Sequence, residues 1–141
     1  MPTTALNVFD TTLEKTNVWL NEICDELDWD QKHGAYTALR ATLHALRDRL
    51  PVNEAAQLGA QLPMLIRGFY YEGWHPANKP VKVRHRDEFL EQIAQECRTS
   101  LDAPIDEVVR AVFQVLERHV TPGEITSVIR ALPDELRELW P

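Results

Sequence analysis

Side chains capable of chemistry are present in this chain, but they are scattered. Histidines stand at 33, 44, 75, 85 and 119, and cysteines at 24 and 97. A helical metal site needs ligands that share one face, as in a His-Glu-x-x-His string, and no two of these histidines are four residues apart. His85 followed by Glu88 is a pairing that ordinary surface helices also carry. The five glycines are dispersed, so no loop of backbone amides is set up to cradle a phosphate. Cys24 and Cys97 occupy apolar helical positions and read as small core residues rather than as a disulfide or a metal pair. Catalysis requires a nucleophile or metal, a proton carrier and a pocket. The spacing sets out no such combination, so no catalytic residue, metal or cofactor is expected, and the chain reads as a non-enzyme.

The polar residues that recur are more informative. A shift of seventy residues places Arg40 on Arg110, Glu54 on Glu124 and Arg67 on Arg137. The same shift aligns Leu20 with Leu90, Ile23 with Ile93, Leu46 with Leu116, Leu62 with Leu132 and Pro63 with Pro133. A self-match at one fixed register is the mark of an internal repeat. Each repeated charge is then expected to do the same job twice. Arginines can satisfy helix ends or glutamates between packed helices, or the arginines of both halves can line a groove for an anion.

The elements that must hold these residues are helical. Leu13, Leu20, Ile23 and Leu27 recur at helical spacing, with Asp10 or Thr11 as the expected cap and the helix running to about Trp29. Gly34 marks a turn. Leu39, Leu43, Leu46 and Leu50 then form a narrow ridge, and Ala35, Ala38, Ala41 and Ala45 allow close approach of neighbours, which makes this the central helix of its half. Pro51 stops it. A short third helix follows over residues 52–61. Its counterpart opens on Thr121-Pro122-Gly123-Glu124, the pattern of a capping box. Leu62-Pro63 and Leu132-Pro133 break the chain and restart it. The fold class predicted is all-α, a pseudo-symmetric tandem repeat of two halves with about four helices each, packed as one domain over residues 1–141. The halves span 11–71 and 81–141, and an aromatic and basic linker over 68–88 joins them.

That linker, GFYYEGWHPANKPVKVRHRDE, differs from the rest in composition. Tyr71, Trp74, His75, Lys82, Arg84 and Arg86 are the candidate partner surface, since aromatics beside arginine are common where proteins bind one another. A pocket between the halves that uses Arg40, Arg110 and His44 or His75 is the alternative, and it would make the chain a ligand-binding protein or enzyme.

Bulk properties narrow the classes further. The chain has 141 residues, is 44% hydrophobic and 26% charged, and carries a formal net charge of −7. A chain of this size can bury a sufficient core without a staple. The acidic balance weighs against nucleic acid and anionic membrane, because both require a basic face. No apolar run is long enough to span a bilayer, and the first residues lack a signal core. A cytoplasmic protein is expected, with a protein partner or a second copy of itself as its binding mode.

The string AYTALRATLHALRDRLPVNEAAQLGAQLPMLIRGFYYEGW, with HRDEFL and the closing AVFQVLERHVTPGEITSVIRALPDELRELW, resembles the bacterial family called domain of unknown function 2267. The resemblance implies a small all-helical protein and no particular reaction or set of functional residues.

Overall fold

The computed structural model describes residues 6–98 and 101–141. Among these the chain is all-helical, with eight helices and no strand. They are α1 (Asn7–Leu27), α2 (Lys32–Arg49), α3 (Val52–Ala60), α4 (Met64–Tyr71), α5 (Arg86–Cys97), α6 (Ile105–His119), α7 (Pro122–Arg130) and α8 (Asp134–Arg137).

Helix α2 is the hub, packing against α1, α4, α5 and α6. The leucine ridge of Leu39, Leu43 and Leu46 is fully buried, and so are Ala35 and Ala38. Small alanine side chains let neighbouring backbones come close, and the leucines fill the grooves between them. Trp19, Ile23, Phe89, Ile93, Val109, Phe113 and Leu116 join the same core from α1, α5 and α6. One contiguous interior therefore serves every helix. Trp140 stacks on Phe113, with centroids 4.0 Å apart, and ties the chain end to that interior.

Helix boundaries follow local chemistry in some places and tertiary contacts in others. Pro63 and Pro133 stand at the caps of α4 and α8 with nearly equal extended backbone, ψ 153° and 156°. Proline cannot continue a helix, but its fixed φ suits a helix start. Asp28 ends α1 in the left-handed region at φ 56°, earlier than the expected Trp29. At the other end, α1 begins at Asn7 with no side-chain cap, not at the expected Asp10 or Thr11. Asp10 is instead buried within the first turn. The expected turn over 99–104 falls partly on residues 99 and 100, which lie outside the described residues.

Candidate functional site

Three polar side chains on α2 face the end of α4. Arg40 donates to Glu72 through Nη2 at 2.6 Å and Nε at 3.2 Å, and its Nη1 lies 3.8 Å from Glu96 of α5. That hydrogen bond raises the Arg40 pKa and holds the Glu72 carboxyl below the usual carboxylate range. One turn on, His44 is buried with Nδ1 2.7 Å from Glu96 and Nε2 2.6 Å from the Phe69 carbonyl. Both ring nitrogens thus face oxygen atoms, one on α5 and one at the end of α4. Arg47, also buried, donates through Nη1 to the carbonyls of Tyr70 at 2.5 Å and Glu72 at 2.6 Å, and through Nε to Asp48. A cation at a helix C-terminus answers carbonyls that have no partner in the helix. The cluster reads as a clamp on α4, with each of its groups committed to a protein partner.

The repeated arginines divide into two kinds of contact. Arg67 donates to the carbonyls of Gly59, Ala60 and Leu62, at the end of α3. Arg137 donates to those of Arg130 and Leu132, at the end of α7. Arg110 donates to the Glu138 carbonyl and shares no partner with Arg40. A cleft of about 310 Å³ at Arg40 is walled by Tyr36, Thr37, Glu96, Cys97 and Arg98, and Arg110 is not part of it.

Glu54 and Glu124, in contrast, are brought together. Helices α3 and α7 pack on each other, and burial first, then the neighbouring Glu54 carboxyl, raise the Glu124 carboxyl. Thr121 caps α7 by accepting from the Glu124 amide at 3.4 Å, but the reciprocal half of the expected capping box is missing. The Thr121 amide donates to Gln61 at 2.9 Å instead, and the Glu124 side chain is left to meet Glu54.

The linker is pinned to the end of α2. The Val81 amide donates to the Asp48 carbonyl at 2.9 Å, and Arg49 donates to the Val83 carbonyl at 2.5 Å. Burial and the nearby Arg84 charge lower the Arg49 pKa. Tyr71 and Trp74 are half-buried against each other, with Tyr71 bonded to the Ala56 carbonyl, whereas His75, Lys82 and Arg84 are exposed. Arg86 is paired with Asp106 at 3.4 Å. Burial pushes the thiols of Cys24 and Cys97 up, and neither is in a disulfide.

A wide apolar surface lies elsewhere. An open groove of about 820 Å³ runs between α1 and α4, walled by Phe9, Leu13, Leu20, Met64, Leu65 and Phe69, with Tyr36 of α2. Phe9 is 47% exposed, Met64 48% and Leu65 40%. The polar groups on its walls are largely spent within the chain. Thr12 Oγ1 accepts from the Leu65 amide at 2.9 Å, the Thr16 hydroxyl donates to the Thr12 carbonyl at 2.7 Å, and Glu72 is held by Arg40. Gly68 lines the groove from the middle of α4, and a Cβ built on it would meet nothing within 4 Å.

Residues 16–139 match the sequence profile of the family described as Uncharacterized conserved protein (DUF2267). The chain belongs to that family. A comparison with curated proteins gave no match. The DUF2267 match takes in α2 to α8 whole and leaves out the first turns of α1, which carry Phe9 and Leu13. Sequence reasoning missed the groove because Leu13 and Leu65 have the same helical periodicity as residues that are buried. One signal was available. Under the seventy-residue shift, Met64, Leu65 and Gly68 fall on Asp134, Glu135 and Glu138, so apolar positions in α4 align with acidic ones.

Proposed function

We propose that this protein is a non-enzymatic interaction module whose contact surface is the α1–α4 groove, and that its partner presents an amphipathic helix with a basic polar face. The observation that carries the reading is Gly68. Glycine inside a helix costs about 1 kcal/mol relative to alanine, and here alanine would meet no steric obstacle. A bare backbone at that place suits the close approach of another chain. The groove around it supplies apolar area with little free polar capacity, which favours a protein face over a polar small molecule. The cationic character of the partner is supported by the net charge of −7.

The same reading takes the chain as two copies of one four-helix unit. Helices α3 and α7 are both nine residues long and start seventy residues apart, which supports it. So do the matching contacts of Arg67 and Arg137 at the ends of those helices. On this view α1 outgrows its counterpart at the N-terminal end, and the added turns form one wall of the groove.

Fluorescence anisotropy with a labelled synthetic helix, Leu on one face and Lys on the other, tests the proposal. Leu65→Asp should weaken binding by at least about tenfold, since losing one buried leucine side chain costs roughly 1.5–3 kcal/mol. Gly68→Leu should do likewise. A Ser/Lys peptide of equal charge should bind poorly to the wild type. Equal binding of the two peptides, or of the wild type and both variants, would refute the assignment.

A further inference from the structure

We propose that Glu54 and Glu124 share a single proton across the α3–α7 contact, and that this proton sets the tightness of the joint between the two helices. One oxygen of each carboxyl is fully buried and finds no N–H or O–H donor on the protein. The other Glu54 oxygen accepts from the Ser127 hydroxyl at 2.5 Å. Glu124 is buried on α7, and Ser127 one turn further along the same helix reaches Glu54 on α3, so both carboxyls lie in the α3–α7 contact, where a hydrogen bond between them requires that one supply the hydrogen. Two ionised carboxylates in contact would repel at short range in a poorly solvated place, which is how one member of such a dyad comes to keep its proton.

The surroundings offer no compensating cation. Tyr70 reaches the pair from α4, where its hydroxyl donates to the Ala55 carbonyl of α3 at 2.7 Å. Its ionisation is driven far up, chiefly by burial. Arg47 and Asp48 of α2 act on Tyr70, and Arg47 is committed to the Tyr70 and Glu72 carbonyls. Arg67 of α4 is bound to carbonyls at the other end of α3. From α7, the groups beside Glu124 are the hydroxyls of Thr121 and Ser127. Burial first and Glu54 second carry the Glu124 carboxyl up to about 7.

The sign follows from linkage. The folded chain keeps a proton that the unfolded chain has released, so the stabilisation is complete below the ordinary value of 4.5 and is lost as pH rises through about 7. Across that window the ratio of folded to unfolded chain should fall by up to about tenfold per pH unit through this pair. The two carboxyls titrate as a unit, so the prediction concerns the pair rather than either residue alone.

The experiment is a pH series of urea unfolding on the full chain, wild type beside Glu124→Gln and Glu54→Gln. A carboxamide brings its own N–H to the remaining carboxylate, so each variant should lose the pair's share of the slope while keeping that of the histidines. Carbon-13 titration of the glutamate side-chain carboxyls in the wild type is the second measurement and needs no variant. One carboxyl of the pair should titrate well above 4.5. Unchanged slopes in both variants would overturn the proposal, and so would two midpoints at or below 4.5.

Discussion

Replacing Arg47 by methionine should destabilise the protein more than any other exchange of a single charged side chain on α2. The guanidinium is buried at the meeting of α2 and α4 and donates to two carbonyls and one carboxylate. Methionine keeps most of the aliphatic stem, so packing is largely preserved and the loss is polar. A hydrogen bond from a charged donor contributes about 1.5–3 kcal/mol, and a buried acceptor left without one costs a similar amount. The Tyr70 carbonyl is deeply placed and should count in full. Glu72 is exposed, so water can replace part of the second bond. The sum is about 3–4 kcal/mol, a large share of the ~5–15 kcal/mol that holds an ordinary domain together. For a domain of this size that corresponds to a drop of about 10 °C in Tm. Thermal unfolding followed by far-ultraviolet circular dichroism measures it directly. Arg47→Lys, which can reach one carbonyl but not both, should fall between the two. If Arg47→Met melted within about 2 °C of the wild type, a shift worth well under 1 kcal/mol, the clamp would carry no weight and the assignment of Arg47 would be wrong.

Two further outcomes can be checked with the same equipment. Arg67→Met and Arg137→Met should each cost about 1–3 kcal/mol in urea unfolding, because each strips the donors from carbonyls at the end of a short helix. Similar losses support the equivalence of the two halves, and a loss in one alone counts against it. His85 lies 2.7 Å from Glu135, and the bond raises the His85 pKa and lowers that of Glu135. The histidine's contribution is therefore present below its ordinary 6.5 and fades as pH rises through its raised value, while the carboxylate's is present above 4.5 and fades in acid. The stabilisation removed by His85→Gln should be greatest between those limits and small, since both partners are exposed.

The core was readable from the sequence because burial of an amphipathic helix leaves a periodic trace. Leu39, Leu43, Leu46 and Leu50 are all buried, and the breaks at Pro51, Pro63 and Pro133 fall where the ring forbids continuation. What escaped was set by contacts distant in sequence. Helix α1 starts at Asn7 without a side-chain cap, so no local signal marks its first turn. Glu124 has the spacing of a capping glutamate, yet Gln61, sixty residues away, takes the Thr121 amide. Arg47 looks like an ordinary polar position on a helix and His44 like a candidate for a pocket, and only the end of α4 reveals what they hold. Periodicity tells which residues avoid water within one helix. It does not tell whether a partner helix is present to cover them, so Met64 and Leu65 did not stand out, and Phe9 lay ahead of the expected cap at Asp10 or Thr11.

A residue-resolved titration tests the α1–α4 groove directly as the contact surface. Nitrogen-15 spectra of the wild-type chain recorded with increasing amounts of the Leu/Lys helix should show amide shifts concentrated at Phe9, Leu13, Tyr36, Leu65 and Gly68. Shifts centred on Trp74 and His75, or spread over the acidic face of Asp134, Glu135 and Glu138, would contradict it.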